Sequence, residues 1–90
     1  MPGLVYSKQA DEMLNELDAD SARALLTSRI HSALDLLEEN PGATSCRRRR
    51  FDNIGVWGIP VSAKDEDWLI LWEPYDDGSE TLVSAIIPAP

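Results

Sequence analysis

The sequence predicts an α+β fold: an N-terminal strand and a two-helix hairpin packed on a three- to four-stranded antiparallel sheet. Three observations carry this. Apolar residues recur at helical spacing through the first 40 residues. Asn40-Pro41-Gly42 then stops that pattern with three helix-breaking residues in a row. Beyond Gly42 the apolar period changes to two. Ninety residues make one domain, 1–90, and leave no room for a large nucleotide-binding fold or a barrel enzyme.

Each element follows from its residues. Gly3-Leu4-Val5-Tyr6 is short, apolar and β-prone, and Ser7 after it is a good helix N-cap. Ala10, Met13, Leu14 and Leu17 fall at i, i+3, i+4 and i+7, the apolar stripe of a short amphipathic helix. Asp18-Ala19-Asp20 interrupts that stripe, and Asp20 can cap a second helix. Leu26, Ile30, Ala33 and Leu37, widened by Leu25 and Leu34, give the second helix its stripe. The two helices form an antiparallel hairpin.

The strands come next. Phe51, Trp57, Ile59 and Val61 share one parity, and Ile54, Val56 and Pro60 the other, with a turn or bulge expected at Asp52-Asn53 and Gly55. Pro60 cannot donate to a ladder, so an edge or a bulge is expected there. Ser62 to Asp67 reads as a polar hairpin loop. Trp68-Leu69-Ile70-Leu71-Trp72 is apolar on both parities and predicts a central strand covered on both faces. Asp76-Asp77-Gly78-Ser79 is a turn signal, Thr81 to Ile87 the last strand, and Pro88-Ala89-Pro90 a stop that frays. The first strand is expected at a sheet edge or beside the last strand.

Composition and charge narrow the function. The chain is 43% hydrophobic and 27% charged, which fits a globular domain. No apolar run reaches the ~18 residues of a membrane helix. Met1-Pro2-Gly3-Leu4 lacks the basic start of a secretory signal. Cys46 is the single cysteine and His31 the single histidine, so neither a disulfide nor a metal site is expected, and no cofactor. A cytoplasmic domain is therefore expected. The net charge of −8 is uneven: −5 over residues 1–46, +4 over the four arginines 47–50, and −7 over 51–90. Such a chain repels nucleic acid at long range, while the arginine run can grip phosphate within a Debye length of about 8–10 Å. The same arginines can instead neutralise Asp and Glu of their own fold.

With these elements in order, the chain resembles the RelE/ParE superfamily of small toxins from bacterial toxin–antitoxin pairs. The resemblance spans roughly residues 4–87. It rests on the apolar start ending in Tyr6-Ser7, the Ala10…Leu14…Leu17 helix, and the Ile30…Leu34…Leu37…Asn40-Pro41-Gly42 helix with its stop. Basic residues and a hairpin of apolar strands follow. It implies a toxin that blocks growth and is neutralised by a cognate antitoxin. One branch docks on the ribosome and cleaves messenger RNA with basic and tyrosine or histidine side chains on the sheet. Another branch acts on DNA gyrase. Arg47, Arg48, Arg49 and Arg50 lie where the ribonuclease branch places basic residues after the helical hairpin. The following strand reads Val56-Trp57-Gly58-Ile59 without a basic residue, and Trp72-Glu73 stands where another arginine is common.

Metal-free RNA cleavage needs a base for the 2′-hydroxyl, a cation for the phosphorane charge and an acid for the leaving oxygen. Along a strand, Arg47 and Arg49 would form one set and Arg48 and Arg50 the other. The catalytic candidates are Arg48 and Arg50 for the charge and Glu73 as base, with His31 a chemical alternative for the last. Arg47, Arg49 and Tyr75 are candidates for holding RNA or a protein partner, Tyr75 by stacking. The three tryptophans fit strand parity and read as core. Cys46 beside four positive charges has the setting of a lowered thiol pKa, but no histidine is positioned to activate it. A non-catalytic interaction module, or a decayed toxin, on the same scaffold is the reading from a different class. A nucleic-acid mimic is a third, against which the arginine run argues.

Overall fold

The computed structural model describes residues 3–75 and 80–89, with the side chain of Ser45 left aside. Asp76-Asp77-Gly78-Ser79, where the sequence predicts a turn, and Pro90 lie outside the described residues. The chain runs through β1 (Gly3–Tyr6), α1 (Lys8–Ala19), a 3₁₀ turn (Ser21–Arg23) and α2 (Ala24–Glu39). A second 3₁₀ turn (Thr44–Arg47) leads to β2 (Arg49–Phe51), β3 (Val56–Ala63), β4 (Glu66–Tyr75) and β5 (Glu80–Pro88). The protein is an α+β domain with an N-terminal strand and two helices packed on a five-stranded mixed sheet of order β1-β5-β4-β3-β2. Strands β2 to β5 pair antiparallel, and β1 adds to β5 in parallel, so the sheet has one strand more than the antiparallel set predicted from sequence. The first strand takes both expected places at once, an edge and the side of the last strand.

The helices cover one face. Ala10 and Leu17 of α1, with Leu26, Ile30, Leu34 and Leu37 of α2, bury their apolar stripes. They pack on Ile59, Val61 and Ala63 of β3, Trp68, Ile70 and Trp72 of β4, and Val83 and Ile86 of β5. All of these sheet residues point to the same face by strand alternation. Ser7 fixes the entry to α1: its Oγ accepts from the Ala10 N–H at 3.1 Å and donates to the Ser84 carbonyl at 2.7 Å. Ser84 is the extra residue where the β4–β5 register shifts between Leu71 and Trp72.

The other face carries Val5, Phe51, Val56, Gly58, Pro60, Leu69, Leu71, Leu82, Ala85 and Ile87 by the same alternation. Among the described residues no helix packs on it. This corrects the expectation that the central strand is covered twice. Leu69 is nonetheless 3% exposed; it lies in a cleft with Pro60, Arg49 and Ala89, so neighbours on the sheet itself shield it. Gly58 sits where a side chain has no space, since a Cβ there would meet the Phe51 ring at 2.9 Å. The hairpin between β3 and β4 is also tighter than expected. Only Lys64 and Asp65 form the turn, because Ser62 and Ala63 pair with Asp67 and Glu66.

Candidate functional site

The arginine run leaves α2 through Pro41-Gly42 and enters the sheet as its edge strand. The expected alternation of the four side chains starts only at Arg49, because Arg47 belongs to the 3₁₀ turn and Arg48 is αR, with φ −70° and ψ −33°. The run therefore divides differently from the sequence pattern.

Arg47 and Arg50 converge on tryptophan. The guanidinium carbon of Arg47 lies 5.1 Å from the Trp57 ring centre and 5.7 Å from that of Trp72. That of Arg50, opposite Trp57 in the β2–β3 register, lies 4.9 Å from the Trp57 ring. The Trp57 and Trp72 rings stack at 6.4 Å with 24° between their planes. Polar contacts hold the layer: Arg47 Nε donates to the Pro41 carbonyl at 3.0 Å, and Arg50 Nε to Asp52 Oδ1 at 2.9 Å. Trp72, 1% exposed, donates its Nε1–H to the Cys46 carbonyl at 2.7 Å. These two arginines support the fold on the helix side of the sheet. Sequence alternation does not reveal this, since the cross-strand pairing of Arg50 with Trp57 depends on the length of the 52–55 turn.

Arg49 points to the helix-free face. It lines a cleft of about 230 Å³ with Pro60, Ser62, Asp67 and Leu69 among others. There the Ser62 hydroxyl donates to Asp67 Oδ1 at 2.6 Å. Arg48 is exposed at the start of the strand. Neither guanidinium meets a carboxylate or another hydrogen-bond partner among the described residues. They are the two cations of the run that remain available to a ligand.

Glu73 also lies on the helix-free face, opposite Leu82, half-buried, and accepts a hydrogen bond from Ser84 Oγ at 3.2 Å. From strand spacing its Cα stands roughly 12 Å from that of Arg49, with β3 between them. Tyr75 is exposed at the end of β4 on the same face. The structure thus places Arg49, Glu73 and Tyr75 on one face and Arg47 and Arg50 on the other. Arg48, Arg50 and Glu73 are not brought together, because the sheet separates Arg50 from Glu73. His31 lies away from the run, with Nε2 2.7 Å from Asp18 Oδ1, and links α2 to α1. Cys46 is buried.

Among the described residues no group of three or more His, Cys, Asp or Glu is arranged to hold a metal ion. No described helix is long and apolar enough to cross a membrane. No protein-family model matches the chain, and no curated protein matches it.

Proposed function

We propose that this chain is the toxin of a type II toxin–antitoxin pair, built on a RelE/ParE-like scaffold and acting in the cytoplasm. The observation that carries the reading is the order of elements: a strand, a helical hairpin, then an arginine run that opens four antiparallel strands. Its partners are a cognate antitoxin and, in the ribonuclease form, the ribosome and messenger RNA. In that form Arg48 and Arg49 hold the scissile phosphate; Glu73, on the same face as Arg49, takes the 2′-hydroxyl proton as that oxygen bonds to phosphorus, and the 5′-oxygen departs with a proton from solvent. A second reading, a non-catalytic interaction module, is favoured by one specific observation. Arg47 and Arg50 are engaged on Trp57, and the cleavage trio Arg48, Arg50 and Glu73 does not converge.

Tightly controlled induction in a bacterial host tests this, with messenger RNA ends mapped. The informative variant is Arg48→Ala/Arg49→Ala, because replacing all four arginines would also remove the tryptophan contacts. Arrest by the wild type alone, with new RNA ends, supports the ribonuclease. Arrest without new ends directs attention to another target such as gyrase. Soluble wild-type protein without arrest transfers the reading to the interaction module.

A further inference from the structure

The two edges of the sheet differ in charge. β1 forms one edge, and Tyr6 at its end lies among Asp11, Asp35 and Glu38, whose charges act on its phenol. β2 forms the opposite edge and is preceded by Arg48. Open edges offer unpaired N–H and C=O groups to any extended chain, and proteins usually blunt them. Next to β2 the structure does so. β2 pairs only with Val56–Gly58, which leaves β3 without a β2 partner from Ile59 to Ala63. There Pro60 has no N–H to offer, and Arg29 Nη1 donates to the Ser62 carbonyl. β2 itself has no such cover among the described residues. It carries Arg49 on the helix-free face, and Arg48 stands beside it.

We infer that the β2 edge is a docking site for an acidic, extended segment of another protein, which joins the sheet as a sixth strand. Backbone pairing supplies the affinity and the arginines supply the choice of partner. Arg48 and Arg49 take carboxylates of the incoming strand in charge-assisted hydrogen bonds. The same arginines repel a second copy of this edge, so like edges do not pair. The β1 edge, set among acids, repels the acidic segment. Nucleic acid fits less well: sixteen acidic residues against eight basic ones oppose a long polyanion, while a short acidic strand meets only the local run. This docking does not depend on growth arrest, because an interaction module uses the same edge. A chain that binds the segment without arresting growth separates the two readings.

The test uses a fluorescein-labelled heptapeptide of alternating glutamate and valine and the full chain, read by fluorescence anisotropy. Saturable binding is expected. Arg48→Glu/Arg49→Glu weakens it by at least roughly tenfold. Both side chains are exposed, and Arg48→Ser/Arg49→Ser serves as a second variant with a smaller loss in the same direction. The peptide N-methylated on alternate backbone nitrogens binds at least roughly tenfold more weakly, and a lysine–valine peptide does not compete. Hydrogen exchange of the Arg50 amide slows on binding the acidic peptide. Any of five results overturns the inference: no saturable binding, equal binding to the charge-reversed variant, or equal binding of the N-methylated peptide are three of them. The fourth is displacement of the peptide by an oligouridylate that binds more tightly, which makes the run an RNA contact. Concentration-dependent dimers in which Arg50 exchange is already slow make a second copy the occupant and also overturn it.

Discussion

The guanidinium of Arg47 lies over both Trp57 and Trp72 and its Nε donates to the Pro41 carbonyl, whereas Arg48, one residue on, meets no partner among the described residues. Neighbours of identical chemistry therefore answer to truncation differently. Arg47→Ala removes two cation–π contacts at a partly open site and one hydrogen bond, a loss of about 1–2 kcal/mol. Arg48→Ala changes stability by no more than about 0.5 kcal/mol. Urea midpoints of the two variants at one pH decide the matter, and equal losses would mean that the tryptophan contacts contribute nothing. Trp72 extends the argument inward. Its indole is buried and hydrogen-bonded to the Cys46 carbonyl. Trp72→Phe loses that bond and shrinks the ring, with an expected cost of about 2–3 kcal/mol in the same assay. A loss as small as that of Arg48→Ala would show that the neighbouring chain closes over the gap.

Elements are joined by a few such residues, and Ser7 is the clearest. It caps α1, donates to Ser84, and its own N–H donates to the Val83 carbonyl at 3.0 Å, so β1, α1 and β5 meet at one position. Ser7→Ala removes both side-chain bonds and is expected to cost about 1.5–2.5 kcal/mol. Hydrogen exchange should accelerate first in the opening turn of α1, and unchanged exchange there would remove the capping role. The cap and both helical stripes were legible in the sequence, because Ser7 and the apolar positions of α1 and α2 act within a few residues. The bulge at Ser84 was not, since an extra residue is defined only by the strand opposite it. The place of β1 beside the last strand was legible, but not its parallel direction, which is set between residues 77 apart in sequence, Gly3 with Glu80 among them. The Ser62–Asp67 stretch reads as a loop in the sequence because it is polar. It is mostly strand, with Ser62 bonded to Asp67 across the hairpin and Glu66 held 3.1 Å from Arg23. The candidate site was legible as a run of cations and not as a geometry. The 3₁₀ turn that carries Arg47 out of alternation leaves no apolar period to read.

Across the whole molecule, charge follows the sheet: arginines at the β2 edge, and carboxylates from both helices around the end of β1. The run contributes +4 to a chain whose net charge is −8, so everything else sums to −12. Tyr6 reports on the acidic end. Burial raises its pKa above the ordinary value of 10.0, and the charges of Glu38, Asp35 and Asp11 raise it further, because each disfavours a phenolate beside it. Above about pH 10 the unfolded chain releases the phenol proton while the folded chain still holds it. Stability from this group is therefore complete below about pH 10 and is lost as pH rises through the folded pKa. Tyr6→Phe abolishes that share of the alkaline loss. Urea midpoints of wild type and variant, followed from about pH 9 to about pH 11, should fall more steeply for the wild type. Parallel curves would show that Tyr6 feels neither the burial nor the three carboxylates. The organisation of charge by sheet edge would then lose its acidic half, and with it the reason an acidic strand prefers β2 over β1.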